Sequence, residues 1–300
     1  MSDRSKPLEG AGTPAPLVST EWLAAHLGDP HVIVLDIRSA ESGGREAFEA
    51  GHVPEALHSD YAADGWRVAA GGAGGLLPDR DALAALFGRL GVTPGDHIVV
   101  VSAGTSTSDF SAAARVYWTF KVAGHERVSI LDGGYAAWTG AGGPVVQGAP
   151  ARREASSYPV RIQEELRAKL ADVEQALERK QDVLVDGRSR AQFEGLDKSP
   201  QAVRPGRLPG AVHIDHSWAF EPGTARLRPA RELDELFSSV PEGPVVSYCN
   251  TGHLASTNWF ILSEVLKRSG VSLYDGSMSE WTQDPKRPVE VGPSDDAKSS

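Results

Sequence analysis

The chain has 300 residues, 40% of them apolar and 23% charged, enough for one large domain or two ordinary ones with a sizeable core. Its formal charge of −10 argues against a nucleic-acid backbone or an anionic membrane as the main partner. A single cysteine excludes an intramolecular disulfide framework and a Cys-rich zinc site.

In chain order, residues 1–15 form a polar tail without an apolar leader segment. No stretch approaches the roughly 18 apolar residues of a membrane span, so a soluble, cytoplasmic protein is expected. An apolar strand, Val32 to Asp36, ends in Asp36-Ile-Arg38, and Gly51-His-Val-Pro-Glu-Ala-Leu-His58 follows. Trp66 falls in a loop able to line a cleft. Gly71-Gly-Ala-Gly-Gly75 lacks the Lys-Ser/Thr of a phosphate loop and reads as a flexible connection. Leu83, Leu86, Phe87 and Leu90 mark a helix that Asp79 can start and Gly91 can stop. The strand Val99 to Val101 leads to a helix with Ser111 as its candidate start, Trp118 on its core side and Gly124 at its end. Leu131-Asp-Gly-Gly134 with Trp138 closes this half. The stretch Gly140 to Ala155 is rich in Gly, Pro and Ala and has linker composition.

The second half repeats the first. After a charge run from Glu164 to Lys180, read as a solvated helix face, come Val183-Leu-Val-Asp186-Gly-Arg188 and Gly206-Arg-Leu-Pro-Gly-Ala-Val-His213. Leu233, Leu236, Phe237 and Val240 then repeat the helical spacing, Val245-Val246 the strand, and Tyr274-Asp-Gly-Ser277 with Trp281 the closing motif. The same motifs in the same order mark a tandem duplication. Short β-branched strands alternating with amphipathic helices predict an α/β fold in which each domain is a mainly parallel sheet flanked by helices. The expected boundaries are a tail at 1–15, a first domain at 16–143, a linker at 144–159, a second domain at 160–288 and a tail at 289–300.

The chemistry concentrates where the strand Pro244 to Tyr248 runs into Cys249. A tight loop, Asn250 to Leu254 with Gly252 at its centre, then leads into a helix with Ala255, Trp259, Leu262 and Leu266 on one face. Such a loop turns successive backbone N–H groups inward at a helix N-terminus, which favours a sulfur anion and can hold a persulfide. The location, at the C-terminal edge of a parallel sheet, is where such folds place ligands.

These motifs resemble the tandem-domain rhodaneses, the thiosulfate and 3-mercaptopyruvate sulfurtransferases, over roughly residues 16 to 288. The resemblance rests on Asp-x-Arg after the first strand of each half, Gly-x-x-Pro-x-Ala-x-His, the Cys249 loop and the closing Asp-Gly-x-x-x-x-Trp. It implies two rhodanese-like domains, the first inactive and the second catalytic. Aligning the strand ends puts Ala103 opposite Cys249, and the loop Gly104 to Phe110 has no thiol. It further implies that Cys249 is the nucleophile and persulfide carrier in a double displacement. The backbone of Asn250, Thr251, Gly252, His253, Leu254 and Ala255 would cradle the anion, and Arg188 would reach the donor's anionic group. Residues of the first half would wall the site. The reaction would need no cofactor and no metal, only a small-molecule sulfur donor and a thiophilic acceptor, cyanide or a thiol. Nothing in the sequence decides the oligomeric state, and a monomer is the simplest expectation.

The loop sequence Asn250-Thr251-Gly252-His253-Leu254 has neither the basic residues of animal-type thiosulfate enzymes nor the Gly-Ser-Gly-Val-Thr of mercaptopyruvate enzymes. Thiosulfate is the favoured donor, with 3-mercaptopyruvate or a non-catalytic sulfur carrier as alternatives. A Cys-x5-Arg phosphatase is excluded because Ala255 stands six residues after Cys249. Arg188 has a twin in Arg38, so bracing and donor binding are both open to it. Asp36 and Asp186 read as structural, His213 and His216 as loop histidines rather than a metal pair, Trp259 as core, Trp218 as a loop residue able to line a cleft, and His253 as a source of charge or a proton.

Overall fold

A computed structural model describes residues 14–179 and 182–293. They form two compact units, one of residues 14–66, 78–163 and 221–227, the other of 67–77, 164–220 and 228–293. Strands are numbered in chain order. They are β1 (Leu17–Val18), β2 (Val32–Asp36), β3 (Leu57–His58), β4 (Val68–Ala70), β5 (Ala73–Leu76), β6 (His97–Val101), β7 (Val128–Leu131), β8 (Arg167–Ala168), β9 (Val183–Asp186), β10 (Val212–His213), β11 (Val245–Tyr248) and β12 (Val271–Tyr274).

The first unit holds a parallel five-stranded sheet in the order β1-β7-β6-β2-β3, and the second holds β8-β12-β11-β9-β10. The two orders superpose strand for strand, as a tandem duplication requires. All residues of β6 and β11 are buried, which suits their Val/Ile-rich runs: a parallel sheet covered on both faces has no solvent side to alternate toward. Phe48, Val53, Val99, Leu131 and Trp138 anchor the first core; Val173, Leu208, Tyr248, Met278 and Trp281 anchor the second.

The local signals at Asp79, Gly91 and Gly124 hold. The Asp79 carboxylate accepts the Ala82 amide at 2.8 Å, and Gly91 turns the chain at φ +67°. The helix expected from Ser111 starts earlier, spanning Thr107–Val122, because Ser106 and Asp109 form a reciprocal capping box. Ser111 is a buried residue inside it. The run from Glu164 is a 3-10 turn and β8 before it becomes the helix Leu170–Arg179, which buries Val173 and Ala176. Trp66 is a core residue rather than a cleft residue: it is fully buried, packs near Phe87 and Phe120, and donates its indole N–H to Ser59 Oγ at 2.9 Å.

Three boundaries differ from the repeat limits. Residues 144–163 are a strap bound to the first unit: Val146 bridges His52, Ala151 N donates to Ala56 O, Arg153 pairs with Asp96, and Tyr158 bonds His125. Of the tail expected at 289–300, the described part is bonded to the second unit, where Glu290 bridges Arg207 and Gly292 N donates to Glu194 O at 2.8 Å; residues 1–13 and 294–300 lie outside the described residues. Finally, the antiparallel hairpin β4–β5, written within the first repeat, is part of the second unit.

Candidate active site

Central strand β11 lies between β9 and β12 and delivers Cys249 at the C-terminal edge of the sheet, one residue past Tyr248. The cysteine is free and buried, with 1% exposure. The helix Ala255–Phe260 follows and continues as a π-turn through Ile261–Val265, with Ala255, Trp259 and Leu262 inside as expected. All of Ala255 to Phe260 is buried, so the helix behind the loop is a core element and holds the loop's exit rigidly.

Ser277, which the sequence motifs did not single out, organises the loop. Its Oγ accepts the amides of Cys249 and Gly252, each at 3.1 Å, and donates to the Tyr274 carbonyl at 2.7 Å. Ser277 does this from φ +50°, a left-handed conformation that a non-glycine residue holds only when its surroundings impose it. Met278 N and Ser279 N bond the Cys249 and Asn250 carbonyls at 3.1 and 2.9 Å. Ser256 Oγ closes the loop onto Gly252 O at 2.6 Å. Asn250 turns outward to give its Nδ2–H to Gln192 Oε1 at 2.8 Å. Among the described residues no protein acceptor is found for the amides of Thr251, Leu254 and Ala255. The predicted cradle residues are therefore together in one loop. The visible trace of Ser277 in the sequence was a difference between the repeats: serine here, Gly134 in the first copy.

Arg188 is 2% exposed and already occupied. Its guanidinium pairs with Asp186 at 2.6 Å and donates to the Gly206 carbonyl at 2.9 Å. Burial alone would lower its pKa, but Asp186, Tyr248 and Cys249 all favour the cation and hold it above the usual arginine value. The twin Arg38 makes the same bonds to Asp36 and to the Gly51 carbonyl. His213 and His58 then give Nε2–H to the carbonyls of Arg188 and Arg38 at 2.7 and 2.9 Å. The two repeated motifs thus form the same brace, present whether or not a cysteine follows. His216 Nδ1 lies 3.2 Å from the Gly187 carbonyl, a second loop brace. The neighbouring Tyr248 stays protonated, its pKa pushed well up by burial, and its hydroxyl accepts the Leu208 amide. His253 and Leu254 are half-buried, Thr251 is buried at 7% exposure, and Trp218 is exposed.

Register corrects the alignment of the first repeat. Tyr248 pairs with Asp186 as Val101 pairs with Asp36, so Ser102, not Ala103, stands where Cys249 does. The bond from Tyr135 N to Ser102 O, matching Met278 N to Cys249 O, fixes the same register. The first unit's loop is also filled from within: the Asp109 carboxylate takes the amides of Thr105 and Ser106 at 2.8 and 2.9 Å.

Two parallel-sheet units, of which the second presents a buried thiol in an amide-lined loop, define a duplicated α/β protein with one thiol-centred site. The model of the rhodanese-like domain matches residues 19–141 and again 169–284, and the chain belongs to that family. It is 32% identical over 93% of its length to a thiosulfate sulfurtransferase of Corynebacterium glutamicum, covering 91% of that protein. It is 30% identical over 93% of its length to the mitochondrial thiosulfate/3-mercaptopyruvate sulfurtransferase 1 of Arabidopsis thaliana, covering 79% of it. Among solved structures, an anaerobic ergothioneine biosynthesis enzyme from Chlorobium limicola shares the fold with a TM-score of 0.79 at 22% identity, over 93% of this chain and 71% of that one.

Proposed function

We propose that the protein is a sulfurtransferase that carries sulfane sulfur on Cys249, with thiosulfate as donor. The observation that carries this reading is the Cys249 loop, whose amides at Thr251, Leu254 and Ala255 have no protein acceptor among the described residues. The named activities of the Corynebacterium and Arabidopsis relatives support the same class of reaction. In the first half-reaction the Cys249 thiolate attacks the outer sulfur of thiosulfate. The donor's S–S bond breaks and sulfite departs with its electron pair, leaving a Cys249 persulfide anion. In the second, cyanide or a thiolate attacks the outer sulfur, and the Cys249 thiolate is the leaving group. Charge is conserved in both steps, and the amides of Thr251, Leu254 and Ala255 remain for the anion while the Gly252 amide stays on Ser277 Oγ, so little reorganisation accompanies transfer. With Arg188 held by Asp186, the binding of the donor falls to the loop amides, the Thr251 hydroxyl and His253.

Initial rates with thiosulfate and with 3-mercaptopyruvate, each with cyanide as acceptor, test the reading. Thiosulfate should give the higher kcat/KM, and Cys249→Ser should abolish turnover with either donor while leaving the unfolding midpoint unchanged. Faster turnover with 3-mercaptopyruvate would reverse the donor assignment. A stoichiometric burst without further cycles would make the protein a sulfur carrier instead.

A further inference from the structure

We infer that Gly75, in the hairpin contributed by the first repeat, is a positioning residue for sulfur transfer at Cys249; this rests on the reading above. The hairpin is fastened beside the cysteine loop at four places along its length. Gln283 Nε2 donates to Gly72 O at 2.9 Å, Ser279 Oγ donates to Gly74 O at 3.2 Å, and Leu77 N donates to Asp275 Oδ2 at 2.6 Å. Arg167, at 3.0 Å from Asp275 Oδ1, keeps that carboxylate in place. The fourth place is a direct approach. Gly75 has φ +83°, and a Cβ built there would lie 2.7 Å from Thr251 Cβ and closer still to the Thr251 carbonyl oxygen.

That approach completes the clamp on one peptide plane. The Thr251–Gly252 peptide has its carbonyl end under Gly75 and its N–H end on Ser277 Oγ at 3.1 Å. Ser277 Oγ holds the Cys249 amide as well, so a tilt of the Thr251–Gly252 plane is transmitted to the amides around the sulfur. Ser279 ties the same elements again, with its amide on Asn250 O and its hydroxyl on Gly74 O. Any side chain at position 75 must push the hairpin away or tip this plane, and misplacing a reacting group by about an ångström can lower a rate about a hundredfold. A first repeat without a thiol thus retains a part in the reaction, as the source of the hairpin.

Gly71 supplies a matched control. It has φ +60°, so alanine there meets comparable backbone strain, but no atom lies within 4 Å of the Cβ it would add. Single-turnover persulfide formation with thiosulfate, followed by release of sulfite, should slow at least about tenfold in Gly75→Ala and remain at the wild-type rate in Gly71→Ala. Gly75→Ala should unfold at a somewhat lower temperature than Gly71→Ala, because only its added atom meets backbone. Gln283→Ala, which loosens the hairpin without inserting an atom, should give an intermediate rate and guards against a Gly75→Ala protein that does not fold. Equal rates in Gly75→Ala and Gly71→Ala, or an unaffected Gln283→Ala, would overturn the inference. Failure of the wild type to form a persulfide would instead strike the proposed function.

Discussion

At the scale of single residues, the division of labour around Cys249 is set by which polar groups are already engaged. Arg188 carries the charge that an anionic donor would seek, yet its guanidinium is buried against Asp186 and the Gly206 carbonyl. Removing one member of a buried pair leaves the other uncompensated, which costs about 3–5 kcal/mol. Arg188→Ala and Arg38→Ala should therefore lower stability in urea by comparable amounts. An increased KM for thiosulfate confined to Arg188→Ala, with stability intact, would return that residue to donor binding. The sequence exposed Cys249 and its loop because strand, glycine and helix adjoin in the chain. It could not expose the role of Ser277, of which only the difference from Gly134 is visible, nor Gln192, since both roles depend on hydrogen bonds to residues 28 and 58 positions away.

Among elements, the two equivalent loops differ in what occupies them. Ser102 replaces the thiol, and the helix Thr107–Val122 begins with a capping box whose Asp109 carboxylate occupies the loop amides. The first loop thus contains its own anion, whereas the second leaves amides for an external one. Asp109→Ala should destabilise the first unit by about 1 kcal/mol, the usual worth of a cap, without changing turnover at Cys249. A loss of turnover larger than the loss of stability would show that this loop takes part in catalysis. The strands and the helix ends at Asp79, Gly91 and Gly124 were legible because hydrophobic period, caps and stop glycines act locally. The start at Thr107 was missed because Ser106 and Asp109 outcompete Ser111, and the Ala103 alignment slipped by one residue because register is set by pairing across the sheet.

For the molecule as a whole, the duplication was plain in the sequence, but the compact units do not follow it: the hairpin 67–77 belongs with the second unit and 221–227 with the first. Gly71 to Gly75 looked like slack chain because glycine marks both loose connections and close approaches, and only the packing of Gly75 on Thr251 distinguishes them. Stability should also depend on pH through the first unit. Burial pushes His97 and His125 down to about 4, and His125 is used as a neutral ring, accepting from Tyr158 and donating to the Arg127 carbonyl. The unfolded chain, with imidazoles near about 6.5, binds more protons between these values. Their contribution is therefore complete above pH 6.5 and is lost as pH falls toward 4. The urea midpoint should drop between pH 7.5 and pH 5, and by less in His125→Gln; equal midpoints would contradict the assignment. The sulfur-carrying role of Cys249 is tested most directly by mass spectrometry of the protein after brief exposure to thiosulfate. One added sulfur, about 32 Da, should appear on the peptide containing Cys249 and vanish on addition of cyanide, whereas an unmodified peptide would contradict the account.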